Sequence, residues 1–597
     1  MRTGESRPGQ AVFMIAKTNT TNTNLAFKPA QFDSLVEGLE YAAKGDTGFN
    51  FYSVRGELVD PLPYADLLAR AKELALRLSG LGLPRHSRIA VLAETIPDFS
   101  ISFFACQFAG LLPVPVPLPV SLGGKASYLN RLRGLVGAAK VSAVMSSDDL
   151  VGMVREAVED LPGCIVGSHQ EFASLEKTAD LVPLEAHEPA YLQYSSGSTS
   201  TPKGVVISQR AITHNARGIL TAGLEARAGD RAFSWLPLYH DMGLVGFCLT
   251  PLMAQISTDY MATADFARRP LNWLKLISEN RGTIAFSPSF GFDLCTRRAA
   301  NRDTEEFDLS CWRVAGIGGD MIRADVLDRF VDRFGKNGFQ RKALLPSYGL
   351  AESTLAVSFA RVSEEYATDR IDLREFSKTG HAVPAKQIDD ALNTRRFVLC
   401  GEAMPDHEIS IRDEDGTPNA DRVVGHVFIK GPSLTDGFFD NPEMTARTIS
   451  EDGWLDTGDL GYMVDGNLVV TGRSKDLIII NGRNIWPQDI EWAVERLPGL
   501  RGGDAAAFSI EDQNTENVVV VVQCRLRGEE ERANLMHDVS ATVREVAGVD
   551  CLTVLAKPGS LPMTSSGKLS RAASRKRYLD GEYAGPEPAR EQVRVAV

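Results

Sequence analysis

The sequence predicts an α/β protein. A large N-terminal domain carries stacked, mostly parallel sheets with helices plus a distorted antiparallel β subdomain, and a small mobile α+β domain follows it. Three observations predict this. Short apolar, strand-like runs alternate with helical stretches over hundreds of residues, the pattern of parallel strands joined by crossover helices. After about residue 358 the chain turns polar and weakly periodic, then runs into strand pairs with turn residues between them. Beyond Gly472-Arg473-Ser474-Lys475 a compact unit of mixed helix and strand begins. At 597 residues the chain is also too long for a single core.

Residues 1–28 read as a mobile tail, because Thr18 to Asn24 is polar and the apolar run Ala11 to Ala16 is too short for a secretory signal. The N-terminal domain is placed at 29–472. Its first clear helix is Tyr64 to Leu78, with Leu67, Ala71, Leu74 and Leu78 on one face. Ile89 to Leu92 is a buried strand, Phe99 to Ala109 a helix, and the Pro-Val alternation after it an extended edge segment. Further strands are expected at Val141 to Met145, Phe233 to Leu236, Thr283 to Phe286, Val314 to Ile317 and Ala343 to Leu345, with helices such as Leu271 to Glu279 and Ala324 to Phe334 between them. The polar stretch 361–396 reads as an insertion or small peripheral element. Phe397 to Ile411 and Val423 to Lys430 read as antiparallel strands, and Gly461 to Thr471 as a hairpin turning at Asp465-Gly466. The boundary between the two domains falls near Gly472-Arg473-Ser474-Lys475. The C-terminal domain, 476–597, has a helix starting at Pro487 with Ile490, Val494 and Leu497 as its buried stripe.

Composition narrows the function. A net charge of −13 argues against a nucleic-acid binder driven by bulk charge. The most apolar stretch, Ile101 to Val120, holds Gln107 and four prolines, so it cannot be a spanning helix. Eight scattered cysteines without a C-x-x-C pair fit thiols in a reducing compartment, and a cytoplasmic protein is expected.

Tyr194 to Gly204 concentrates the chemistry: six serine and threonine hydroxyls, two glycines and Lys203 in eleven residues, between two strand-like runs. Hydroxyls, freed backbone N–H groups and a cation are what a polyphosphate needs, although the Walker A order is absent. By itself this loop fits a phosphate cradle or a solvated linker equally. Other segments fall at strand ends, where ligands gather in open α/β sheets. Trp235 to Gly243 carries His240. Gly316 to Asp320 offers three glycines for close approach of a flat ligand. Ser347 to Thr354 presents Tyr348 and Glu352. Trp454 to Asp459 supplies a carboxylate among small residues, and Leu561 to Lys568 places a lysine on a small-residue loop. No G-x-S-x-G nucleophile elbow is present.

The order of these motifs resembles the adenylate-forming superfamily of acyl-CoA synthetases, fatty acyl-AMP ligases, adenylation domains and luciferases, over about residues 30–580. Ser195 to Gly204 is similar to its phosphate loop, with Ser200 where many members have glycine. Tyr348 to Glu352 is similar to the adenine and magnesium motif, Thr457-Gly458-Asp459 to the ribose motif, Gly472 to Asp476 to the hinge, and Ser566-Gly567-Lys568 to the catalytic-lysine motif. The wording of Leu192 to Thr199, Tyr239 to Leu244, and Asp476 to Glu491 most resembles the fatty acyl-AMP ligases, a group that carries an insertion after the Tyr-Gly-Leu-Ala-Glu motif. In that group the insertion restricts domain rotation and disfavours coenzyme A.

The resemblance implies that ATP and a medium- or long-chain fatty acid form acyl-AMP with release of pyrophosphate. The acyl group then passes to the phosphopantetheine thiol of an acyl carrier protein. It implies that Lys568 bridges carboxylate and α-phosphate, that His240 gates the nucleotide against the acyl tunnel, and that Glu352 binds Mg²⁺. Ser195, Ser196, Gly197, Ser198, Thr199 and Lys203 would hold the β- and γ-phosphates. Tyr348 would stack on adenine opposite Gly318, Gly319 and Asp320, beside Ser347 and Gly349. Asp459 would take the ribose hydroxyls, Arg473 a ribose or phosphate contact, and Lys475 the hinge. Phe247, Phe286, Phe290 and Phe292 are candidates for the acyl tunnel, or ordinary core aromatics. Two other readings stand beside this one. An acyl-CoA synthetase would share the first step. A non-catalytic acyl-nucleotide binding module would not need Lys568 together with Glu352, Asp459 and Lys203.

Overall fold

A computed structural model describes residues 25–119, 124–178, 180–195, 202–386, 393–480, 483–512, 515–564 and 568–583. The fold is α/β, with large parallel sheets and smaller antiparallel ones. Its main sheet has nine strands. Six neighbours run parallel in the order Leu344–Gly349, Val314–Ile317, Ile284–Ser287, Arg231–Ser234, Ser257–Met261 and Gly48–Tyr52. Antiparallel strands extend both ends: Leu58–Pro63 on one side, Ala356–Phe359 and Glu402–Ala403 on the other. Strands Val314–Ile317 and Ile284–Ser287 are short and almost wholly apolar, as strands covered on both faces must be.

A second sheet of four parallel strands runs Leu112–Val116, Arg88–Leu92, Ala143–Ser146, Ile165–Ser168. Leu112–Val116 holds Pro113 and Pro115 and sits at the edge, where a residue without an N–H breaks no ladder. The helix expected at Tyr64 spans Tyr64–Ser79 and buries Leu67, Ala71, Leu74 and Leu78. The strands flanking the hydroxyl-rich loop are Pro189–Ser195 and Lys203–Ser208, paired antiparallel with Ser195 opposite Lys203. An antiparallel sheet follows: Glu408–Arg412, Gly425–Lys430, Leu455–Val464 and Asn467–Arg473. Its last hairpin turns on Asp465 and Gly466, with φ of 49° and 77°, the paired left-handed geometry of a two-residue turn.

From Ile478 the chain builds a separate core. Strands Ala505–Asp512, Thr515–Gln523 and Cys551–Ala556 form a sheet, and helices Pro487–Val494 and Glu529–Ala547 pack on one face. The central run Val518 to Val522 is fully buried. Val518, Val520 and Val522 face those helices, and Val519 and Val521 face the side of Leu561 and Tyr578.

Two expectations are corrected. The run Phe397 to Ile411 is not one strand. It breaks into Thr394–Val398, Glu402–Ala403 and Glu408–Arg412, because Gly401 and Asp406 adopt positive φ of 81° and 63°. Of the two readings of 361–396, an insertion or a small peripheral element, the peripheral one does not hold. Strands Thr368–Asp372 and Thr394–Val398 pair around the helix Leu373–Thr379 and wedge between the main body and the C-terminal unit. The Phe376 ring stacks on Trp486 at 4.5 Å, and Arg395 donates to Asp489 at 2.6 Å. A few apolar side chains in a polar stretch, Ile371, Phe376 and Ala382, find burial only there.

Candidate active site

The carboxyl ends of the parallel strands open into a cavity of about 630 Å³. Main-sheet strand ends supply one wall, and the C-terminal unit supplies the other through Trp492, Glu495, Met563 and Lys568. The lining joins Lys203, His240, Gly318, Gly319, Asp320, Ser347, Tyr348, Gly349, Glu352, Asp459, Arg473, Lys475 and Lys568. Segments that lie hundreds of residues apart in the chain therefore meet in one place. The Ser195 side chain and the residues Ser196, Gly197, Ser198 and Thr199 lie outside the described set. The strand carrying Lys203 leads out of that loop.

Two glycines are required sterically. Gly319 has φ of 77°, and a Cβ there would stand 2.6 Å from the Met242 sulfur. A Cβ on Gly349 would stand 1.8 Å from the Leu355 carbonyl oxygen, so only glycine lets the two strands approach. Beside Gly349, the Tyr348 hydroxyl donates to Asp459 Oδ2 at 2.6 Å, and Arg473 Nε pairs with Asp459 Oδ1 at 2.7 Å. The Asp459 N–H donates to Thr457 Oγ1 at 3.1 Å. Burial first, and then the Asp459 charge, push the Tyr348 phenol far above its ordinary range, so it stays a donor. The Asp459 carboxylate is held from two sides and keeps further lone pairs for a ligand.

Charges of both signs face the cavity. His240 Nδ1 lies 2.6 Å from Asp241 Oδ1 at the start of the helix Asp241–Leu244. Burial opposes ionisation of Asp241, but His240 and then Lys568 outweigh it and hold the carboxyl below its ordinary range. Lys568 and Asp241 line the same cavity. Burial pushes the Glu352 carboxyl up, against Arg473 and Lys203. A buried carboxylate on the cavity wall fits a Mg²⁺ ligand, since that ion takes one or two carboxylates and completes its shell with phosphate oxygens and water. Burial lowers the Lys475 ammonium, and Arg473 adds to it. Lys475, expected only as a hinge, also lines the cavity.

An apolar arm runs from this polar centre along Ile219, Leu224, Phe247, Phe286, Leu355 and Phe359. Two π-helical stretches, Ile219–Gly223 and Val245–Leu249, shape it, and such turns often sit at ligand sites. Of the four phenylalanines read either as tunnel candidates or as ordinary core aromatics, Phe247, Phe286 and Phe290 line the cavity. Phe292 does not. It is fully buried and stacks on Trp312 and against Phe330, because it points from the opposite side of its helix into the core.

Sequence reasoning missed Arg571. Three residues after Lys568, it donates to both oxygens of Glu491, at 2.8 and 2.7 Å, and to Asp476 at 2.9 Å. This links the lysine loop to the hinge. The available signal was the pair of acids, Asp476 beside the hinge and Glu491 on the following helix, but no local pattern matched them to Arg571.

Comparison with known proteins identifies the family. The family model for AMP-binding enzymes matches residues 56–439, more than half of the chain. A Caulobacter vibrioides protein provisionally assigned as an acyl-CoA synthetase is 44% identical over 96% of this chain and 100% of its own. The medium-chain-fatty-acid–[acyl-carrier-protein] ligase JamA of Moorena producens is 31% identical over 92% of this chain and 96% of its own. The long-chain-fatty-acid–AMP ligase FadD26 of Mycobacterium tuberculosis is 32% identical over 87% and 91%. Among solved structures, one from a study of the E. coli and L. pneumophila fatty acyl-adenylate ligases superposes with a TM-score of 0.90 at 46% identity, covering 94% of this chain and 100% of that one. The chain belongs to the AMP-binding enzyme family and, within that adenylate-forming superfamily, to the fatty acyl-AMP ligases.

Proposed function

We propose that this ligase activates a medium- or long-chain fatty acid as acyl-AMP and then delivers the acyl group to the phosphopantetheine thiol of an acyl carrier protein. The observation that carries it is the single cavity in which Lys203, Glu352, Asp459, Arg473 and Lys568 converge at the mouth of an apolar arm. In the first step a carboxylate oxygen attacks the α-phosphorus of ATP and the bond to pyrophosphate breaks. Both partners are anions, so positioning and charge neutralisation are the work to be done. Lys568 places a compact ammonium between carboxylate and α-phosphate. Lys203 and the loop Ser195 to Thr199 hold the departing phosphates. Tyr348, with Gly318, Gly319 and Asp320 opposite, holds adenine, and Asp459 with Arg473 holds ribose. Glu352 would bind Mg²⁺, which supplies charge neutralisation on the phosphate oxygens when bound. His240 divides the nucleotide from the acyl arm. In the second step the thiol sulfur bonds to the acyl carbon, its proton is lost and AMP leaves.

Residues 29–472 and 476–597 are read as the two domains, with 473–475 as the hinge about which the second swings between steps. The wedge formed by Phe376 and Arg395 against Trp486 and Asp489 supports a restricted swing and an acceptor other than coenzyme A. JamA, named for an acyl-carrier-protein product, supports the same acceptor. The eight cysteines are all free, which suits a cytoplasmic setting. The Caulobacter relative's name favours a second reading, with coenzyme A as acceptor. A fatty-acid panel with ATP and magnesium tests both. Acyl-AMP that passes to a carrier protein and not to coenzyme A is the expected result. Efficient acyl-CoA formation overturns the acceptor, and absence of fatty-acid-dependent pyrophosphate release overturns the whole proposal.

A further inference from the structure

Behind the cavity wall lies a fully buried polar cluster that the reaction scheme does not use. Its centre is Ser433, on the segment that connects Lys430 to Phe439. His407 Nδ1 lies 2.9 Å from the Pro405 carbonyl and so carries the hydrogen there. Burial lowers the pKa of the ring and so favours its neutral form. Nε2 is then an acceptor for the Ser433 hydroxyl, 2.5 Å away. Ser433 Oγ in turn accepts from Asn215 Nδ2 at 3.1 Å and faces Ser353 Oγ at 3.2 Å. Asn215 also donates to the carbonyls of Ser353 and Ala356 and accepts from the Ala356 N–H. Asn215 Nδ2 thus has three acceptors within reach of its two hydrogens, and the cluster closes on the turn 351–356 that carries Glu352.

That turn is strained. Thr354 has φ of 66° and ψ of −58°, a conformation in which a β-branched residue is an outlier. Thr354 Oγ1 donates to the Ser433 carbonyl at 2.8 Å and holds it so. Two residues on, Thr435 makes two ties. Its N–H donates to the Glu352 carbonyl at 2.8 Å, and its hydroxyl, 2.6 Å from the Val206 carbonyl and 2.9 Å from that of Gly437, makes its shorter contact to Val206. Val206 lies on the strand that begins with Lys203. The Val206 N–H reaches the Gly437 carbonyl and the Phe439 N–H the Gly204 carbonyl. One short segment is therefore stitched to the Glu352 turn on one side and to the Lys203 strand on the other.

We infer that Ser433 and Thr435 are positioning residues: they strap the strained Glu352 turn to the Lys203 strand and so set the spacing between the carboxylate that takes Mg²⁺ and the cation that takes phosphate. This rests on the roles given above for Glu352 and Lys203. Among the described residues that line the cavity, neither Ser433 nor Thr435 appears. Without the strap the turn can relax from its strained geometry and the two groups no longer match one Mg·ATP.

The test is equilibrium ATP binding by calorimetry with and without magnesium, so that no acyl chemistry is needed. The quantity read is the ratio of the two affinities. Thr435→Val keeps shape and removes the tie to Val206. It is expected to reduce the ratio about five- to tenfold, the worth of one buried hydrogen bond, while the fatty-acid KM stays within twofold. Thr435→Ser restores the hydroxyl and should restore the ratio. Ser433→Ala, which leaves the backbone tie at Thr435, should reduce the ratio as well, and its melting curve reports whether it folds. Glu352→Gln is the control. If it abolishes the magnesium dependence and Thr435→Val does not lower it, the strap is overturned alone. If Glu352→Gln leaves the dependence intact, the role of Glu352 itself is overturned. A loss in Thr435→Val that Thr435→Ser does not rescue also overturns the inference.

Discussion

The Tyr348 hydroxyl and the Asp459 carboxylate share a 2.6 Å hydrogen bond across 111 residues of chain. This bond ties the end of a main-sheet strand to the antiparallel subdomain, and it orients the carboxylate assigned to ribose. Tyr348→Phe keeps the aromatic face and removes the donor. A hydrogen bond to a charged group is worth about 1.5 kcal/mol, roughly tenfold in affinity. The ATP KM should rise about tenfold with the fatty-acid KM unchanged, measured by pyrophosphate release. An unchanged ATP KM would show that Arg473 alone holds Asp459.

Lys568 lines the same cavity as His240 and Asp241, and its charge helps to lower the Asp241 carboxyl. Lys568→Ala should cut acyl-AMP formation by at least about 100-fold, as loss of a preorganised charge does, while ATP still binds. Wild-type pyrophosphate release from that variant sinks the assignment.

Arg395 is 7% exposed and pairs with Asp489, which is 14% exposed. Removing one partner of such a pair leaves the other charge buried and costs about 3–5 kcal/mol. Arg395→Ala should therefore lower the unfolding midpoint of the C-terminal unit in urea. Replacing both partners by apolar residues, Arg395→Met with Asp489→Leu, should cost far less. Equal losses in the two variants contradict the pairing.

Glu495 carries a pH signature. Burial raises its carboxyl from the ordinary 4.5 to about 7, against the Gly503 N–H and Arg323 and with Glu491 and Asp504 adding to the rise. Between those values the folded protein keeps a proton that the unfolded chain has released. Raising pH across that window therefore lowers stability, by up to about 3 kcal/mol at roughly 1.4 kcal/mol per unit. Asp489, raised to about 6 by burial, acts with the same sign. Glu495→Gln should flatten the fall in melting temperature between pH 5 and pH 7 without erasing it, measured by calorimetry.

Gly246 borders the apolar arm, and a Cβ there would stand 3.3 Å from Leu355 Cδ2. Gly246→Leu should narrow the arm. Long-chain substrates should lose roughly tenfold or more in kcat/KM and short ones little, since a misplaced methylene or two is worth about 1–3 kcal/mol. Equal loss for all chain lengths places the acyl group elsewhere.

By itself the sequence determined the α/β class, the order of the chemical motifs and the family they resemble. Those properties are local: apolar periodicity, a hydroxyl-rich loop, a Tyr-Gly turn before a carboxylate, a lysine on a small-residue loop. Only the tertiary structure decided what touches what. Phe290 and Phe292 read alike in the chain, but one lines the cavity and the other packs in the core. The stretch 361–396 reads as an insertion or a small peripheral element, yet Phe376 and Arg395 bury against Trp486 and Asp489 at a helix start, 110 and 94 residues on. Arg571 and Thr435 carry no motif, and their partners Glu491 and Val206 lie 80 and 229 residues away. Burial and hydrogen-bond satisfaction at that separation depend on how all the layers pack together, and no window of sequence contains that information.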